Sequence, residues 1–212
     1  MNPHLAALLS PIYSGALAPA HRRDLEKSGI TEASQVGQGI RSVPPSDLDR
    51  LVGFPVPTAV TSLLLIPYPD PDGGYFDMFQ VKLFPALEDV KYLQPRHSPP
   101  HLYFVRSVLS LVVDPSMTLY LCEGAKKAVA AAQLGLAGVG FNGIEGWHHR
   151  GSRELIEDFH RLPLRGRLVK VVPDGDVQTN PAVERGAGRL AEALEARGAH
   201  VRVVLLPAVV AA

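Results

Sequence analysis

Two short acidic motifs are the residues in this sequence best suited to chemistry. Glu123-Gly124 directly follows the apolar run 119–122, and Asp174-Gly175-Asp176 follows the run 168–172 after a single proline. Three such carboxylates suit Mg²⁺, a hard cation that takes oxygen ligands, keeps several waters and is completed by substrate phosphates. Glycine beside each acid lets the backbone turn sharply or approach a phosphate closely. A helix expected to start at residue 125 aims its amino end at the same place, which favours an anion. Each motif alone is weak, because Asp-Gly-Asp also makes a surface turn and Glu123 also suits a helix amino terminus through the dipole. Their combination, in order and on the ends of successive elements, points to a metal and phosphate centre.

The elements that must position these acids are legible from residue 119 onward. Short apolar runs alternate with helical segments, as in a sheet covered by helices. Strands are expected at 119–122, 137–141, 168–172 and 201–206, with helices at 125–134, 152–160 and about 181–197. The last helix starts at Pro181, allowed in a first turn, and stops at Gly198. Right-handed crossovers then give a mostly parallel four-stranded sheet. Acids at the carboxyl ends of its strands lie where open α/β sheets bind ligands.

The earlier part of the chain is less informative. Residues 1–58 hold proline-bounded helical pieces, with Ser46 as a helix cap. Residues 61–84 read as a β-hairpin around the Pro69-Asp70-Pro71-Asp72-Gly73-Gly74 turn. A long polar loop is expected at 85–100, carrying Lys91, Tyr92, Arg96 and His97. The expected organisation is therefore a helical region at 1–58, a β-rich subdomain at 59–117 and an α/β domain at 118–212.

Composition bounds the partners. The 212 residues are 46% hydrophobic, which suffices for one large or two small cores. Lys plus Arg equals Asp plus Glu at 21 each, so a nucleic-acid site must be a local patch. The lone Cys122 excludes an internal disulfide and a multi-cysteine zinc module, and fits a reducing cytoplasm. Apolar runs are too short for a membrane span of about 20 residues. The first ten residues lack a basic segment ahead of their apolar ones, so no secretion signal is expected.

The run Leu119-Tyr120-Leu121-Cys122-Glu123-Gly124-Ala125-Lys126-Lys127, followed by Val171-Val172-Pro173-Asp174-Gly175-Asp176 and Thr179-Asn180-Pro181, resembles the toprim domain. That domain is shared by bacterial-type primases, topoisomerases and some nucleases, and the motifs are most similar to the primase-like toprim group of phage and plasmid replication proteins. Upstream, Pro71-Asp72-Gly73-Gly74, Lys91-Tyr92-Leu93 and Leu102-Tyr103 resemble the order that precedes the toprim in bacterial-type primases. The resemblance spans roughly residues 61–207. It implies a Mg²⁺-dependent nucleotidyltransferase core, with Mn²⁺ as a substitute, that makes primers on a single-stranded DNA template from nucleoside triphosphates. A replicative helicase is then a candidate partner. The implied metal ligands are Glu123, Asp174 and Asp176, with Lys91 joining them in the catalytic set. Bacterial primases carry an aspartate three residues after the motif's glycine, where this chain has Lys127.

Candidate phosphate contacts are Lys82, Lys91, Arg96, Lys126 and Lys127. Lys91 is equally well read as a solvated loop lysine, whereas a pair such as Lys126 and Lys127 is more often a solvated helix face, the reading favoured for Lys126. Asn142-Gly143 suits either a crevice lining or an ordinary turn. For Trp147, beside His148 and His149, partial burial is favoured over stacking on a base. The same carboxylates also suit a toprim nuclease, and the fold also suits a non-catalytic nucleic-acid or replisome-binding module.

Overall fold

The computed structural model describes residues 3–10, 16–53, 55, 57–88, 90–175 and 179–206. The chain divides into two compact units, Met1–Pro99 and Pro100–Ala212.

In the first unit the helices α1 (Pro3–Leu9), α2 (Pro19–Lys27) and α3 (Glu32–Gly37) precede strand β1 (Arg41–Val43) and helix α4 (Leu48–Val52). Strands β2 (Ser62–Pro69), β3 (Tyr75–Leu87) and β4 (Val90–Leu93) complete it. The sheet runs β1-β2-β3-β4, and every neighbouring pair is antiparallel. Leu63 and Leu65 of β2 and Phe79, Val81 and Leu83 of β3 alternate onto one face. There they pack with Leu5 and Leu8 of α1 and with Leu51 and Val52 of α4. Each such apolar side chain stabilises the unit by roughly 1.5–3 kcal/mol. Helices α1 and α4 therefore share one core with the hairpin strands. The long loop expected at 85–100 is also partly strand. β3 continues to Leu87, and β4 pairs back on it with Lys82 opposite Tyr92 and Val81 opposite Leu93. Exposure along β4 hides the alternation that normally betrays a strand.

The second unit holds β5 (Tyr103–Phe104), α5 (Leu109–Val113), β6 (Leu119–Glu123), α6 (Ala125–Gln133), β7 (Ala137–Phe141), β8 (Leu168–Val172), α7 (Pro181–Ala196) and β9 (His200–Val203). Its five-stranded sheet runs β5-β7-β6-β8-β9. The four strands read from the apolar runs are mutually parallel, and β5 adds a fifth, antiparallel to β7. Alanine-rich α6 has high helix propensity, and it buries Ala125, Ala128, Val129 and Ala132 on one face. It lies close on β7, because a Cβ at Gly138 would meet the Ala128 carbonyl oxygen at 2.9 Å and one at Gly140 would come within 3.4 Å of the Ala125 Cα. α7 is capped by the Asn180 side chain, which accepts the Ala182 N–H at 3.1 Å, and Pro181 occupies its first turn.

The helix expected at 152–160 is absent. Only a 3₁₀ turn forms, at Glu157–Arg161. Leu155, Ile156, Phe159 and Leu162 are buried at helix-like spacing, which invites the helical reading. The backbone instead bridges His148 to Leu155, and the Ile156 N–H donates to the Trp147 carbonyl at 3.0 Å. No helix among the described residues is long and apolar enough to cross a membrane.

Candidate active site

β6 lies between β7 and β8 in parallel register, with Glu123 opposite Phe141 and Cys122 opposite Val172. Glu123 is thus the last residue of a central strand, and Asp174 stands two residues beyond the end of its neighbour. The Asp174 N–H donates to Glu123 Oε2 at 2.8 Å, which closes the pair. Gly124 turns the chain from β6 into α6 at φ +96°, a region that side chains rarely adopt, and its N–H donates to the Phe141 carbonyl at 2.7 Å. That turn carries the first amides of α6 to the carboxyl edge of the sheet, where the helix leaves its N–H groups unsatisfied by its own carbonyls.

Lys127 is the third residue of α6, and its Nζ forms an ion pair with Asp174 Oδ1. The two side chains are 33% and 55% exposed, so the pair is open to solvent. Burial pushes the neighbouring Cys122 thiol up to about 11, against the opposing pull of the Lys127 charge. Cys122 is therefore a buried small hydrophobe. Lys126 sits in the same first turn, half-buried.

Of the three expected metal ligands, Glu123 and Asp174 are brought together, while Asp176 lies outside the described residues. Among the described residues no group of three or more His, Cys, Asp or Glu is arranged to hold a metal. The two carboxylates present nevertheless fit Mg²⁺. They offer only hard oxygen donors, one or two carboxylates plus phosphate suffice for this ion, and a cationic group already stands on Asp174.

The expected phosphate contacts of the first unit occupy different settings. Lys82 of β3 pairs with Asp24 of α2, both side chains being 18% exposed. Its Nζ lies 5.4 Å from the Phe84 ring centroid and 5.8 Å from that of Tyr92. Partial burial and the Asp24 carboxylate push the Tyr92 phenol up to about 12. Beside them the fully buried His21 bonds the Ser42 Oγ at 2.7 Å and the Ser62 Oγ at 3.0 Å, and burial holds its imidazole below 6.5. Lys82 is thus built into a packed cluster. Lys91 on β4 and Arg96 in the turn after it are exposed.

Sequence reasoning leaves Arg167 without a role. It is 1% exposed and donates to the carbonyls of Met117 (2.8 Å), Val112 (2.6 Å) and Leu111 (3.0 Å), binding the end of α5 to the start of β8. Asp158, 6% exposed, accepts the Leu102 N–H at 2.8 Å and so fixes the approach to β5. Trp147 is 1% exposed, which removes it from any base-stacking surface.

The fold has relatives. The chain is similar to the crystal structure of the Aquifex aeolicus primase, comprising its zinc-binding and RNA polymerase domains. There the TM-score is 0.63 and the identity 15%, over 90% of this chain and 50% of that one. It is similar to the DnaG catalytic core (TM-score 0.59, 19% identity, 96% of this chain and 68% of that one). A third likeness is to the RNA polymerase domain of Mycobacterium tuberculosis primase DnaG in complex with a double-stranded DNA oligomer bearing a 6-nucleotide overhang. Its TM-score is 0.56 and its identity 17%, covering 98% of this chain and 71% of that one. The chain therefore has a primase-core-like fold, and it spans half the length of the Aquifex structure. A family model described as "Domain of unknown function (DUF3854)" matches residues 109–210. No curated protein matches the chain.

Proposed function

We propose that the chain is a primase-like nucleotidyltransferase core of the toprim type, and that its second unit carries the metal-dependent centre. The observation that carries this reading is the junction of Glu123 and Asp174, from the ends of adjacent parallel strands, beside the amino end of α6. In that position Glu123 and Asp174 would hold Mg²⁺, with Asp176 as the third ligand. When bound, Mg²⁺ supplies Lewis-acid stabilisation of the charge that develops on a reacting phosphate. The first-turn amides of α6 would face an anion bound at that edge, and Lys126 and Lys127 would add positive charge to it. On the first unit, the exposed Lys91 and Arg96 are our candidates for contacts with template or triphosphate. Lys82 is the weaker candidate, because its charge is already matched by Asp24. The likeness to primase cores supports polymerisation, and the DNA-bound relative supports a DNA template.

The test is product analysis. Purified chain and its Asp174→Asn variant are incubated with single-stranded DNA, labelled nucleoside triphosphates and Mg²⁺, and resolved on a denaturing gel. New oligonucleotides from the unmodified chain alone are expected. Shortened template without synthesis would replace this reading with a nuclease, and no reaction from either chain would favour a binding module. Template binding should also weaken steeply as salt rises, since phosphate contacts release counterions.

A further inference from the structure

The ion pair between Lys127 and Asp174 raises a question that the metal reading leaves open. A cation coordinated by Asp174 needs its carboxylate oxygens, and one of them already receives the Lys127 ammonium. A dication and an ammonium on the same small carboxylate repel each other, by an amount comparable with the attraction that holds the present pair. A rotation of the Lys127 side chain would answer that repulsion. Its ammonium is a compact charge on a flexible four-carbon stem with rotatable donors, and a third of its side chain is exposed (33%). Its backbone, by contrast, is fixed, because Ala125, Ala128 and Val129 on either side of it are buried and α6 lies close against Gly138 and Gly140 of β7. A swing of the ammonium about that pivot would keep it at the first turn of α6, where an arriving phosphate would sit.

We propose that Lys127 is an exchangeable counter-ion of this centre: it occupies Asp174 while the divalent cation is absent, and passes to a phosphate oxygen of the ligand when the cation arrives. This inference rests on the metal and phosphate reading of Glu123 and Asp174. It gives Lys127 opposite effects on the two components. Lys127 opposes the bare cation and favours the phosphate that follows it, so empty metal binding is kept weak and metal with phosphate is favoured together.

The experiment compares the unmodified chain, Lys127→Met, Lys127→Arg and Asp174→Asn. Mn²⁺ alone is titrated by electron paramagnetic resonance, and inorganic pyrophosphate is then titrated calorimetrically in excess Mg²⁺. Circular dichroism melting checks that each variant is folded. Lys127→Met should bind Mn²⁺ about tenfold more tightly and pyrophosphate about tenfold more weakly, as expected for loss of one charge near a dication and an anion. Lys127→Arg, which keeps the charge, should restore most of the pyrophosphate affinity. A Lys127→Met chain that binds both probes more weakly, or both unchanged, while Asp174→Asn loses Mn²⁺, would overturn the exchange and leave the metal reading standing. Mn²⁺ binding unaffected by Asp174→Asn would overturn both.

Discussion

Each unit contains a lysine paired with an aspartate, and the two pairs differ in everything except their chemistry. Lys82 and Asp24 are mostly enclosed, with Phe84 and Tyr92 against the ammonium and the buried His21 alongside. Lys127 and Asp174 stand at the open edge of a sheet, on a strand end and a helix start, and Asp174 also binds Glu123 through its N–H. Desolvation makes the enclosed pair costly to break, because either partner left alone would be a poorly hydrated charge. Solvent makes the open pair cheap to break, as exposed pairs contribute at most about 1 kcal/mol. The enclosed pair is suited to hold structure, and the open pair to exchange partners.

Activity gives the largest separation. Asp174→Asn or Glu123→Gln should lower Mg²⁺-dependent synthesis by more than about 100-fold, equivalent to about 2.7 kcal/mol of barrier, with almost no change in melting temperature. Equal activity in Asp174→Asn would dissolve the contrast from the functional side. Asp24→Asn should do the reverse and destabilise the first unit by about 2 kcal/mol, measured by urea denaturation; this is below the value for a fully buried pair because both side chains keep 18% exposure. A destabilisation no larger than that of Asp174→Asn would mean that enclosure is not what separates the pairs.

Gly138→Ala sharpens the account of α6 as a fixed pivot. Its Cβ would meet the Ala128 carbonyl oxygen at 2.9 Å and the Ala131 Cβ at 3.2 Å. We expect a loss of about 1–3 kcal/mol, typical of overpacking, together with weaker pyrophosphate binding in excess Mg²⁺ as Lys127 and the start of α6 shift.

The smallest effect concerns pH. Burial lowers His21 below 6.5, with Lys82 adding to that effect and Asp24 opposing it. A depressed imidazole stays neutral in the folded chain while the unfolded chain takes up the proton, so stability is present above about pH 6.5 and is lost as pH falls below it. Urea midpoints at successive pH values should show this acid-side decline, and His21→Gln should flatten it. Its absence would show that His21 is protonated without cost despite its burial.

Sequence alone shows much of the second unit, because buried parallel strands are continuous apolar runs and their ends carry the acids. The runs 137–141 and 168–172 match β7 and β8 residue for residue. What it conceals depends on distant partners. β5 has only two residues, Tyr103 and Phe104, and exists by pairing with Val139 and Gly140. Arg167 bonds to carbonyls, which leave no trace in a sequence. The segment 152–160 has helical spacing, but its backbone donors serve other partners. Glu123 and Asp174 are legible as acids at strand ends, whereas the Lys127 contact depends on a separation of 47 residues that only the fold closes.

On the reading proposed above, Glu123 and Asp174 share one divalent cation. The most direct measurement is anomalous diffraction from crystals of the chain grown with Mn²⁺ and a nucleoside triphosphate. An anomalous peak is expected within coordinating distance of both carboxylates and of a phosphate oxygen, with the Lys127 ammonium moved off Asp174. A phosphate bound with no peak between those carboxylates, and Lys127 still on Asp174, would contradict it.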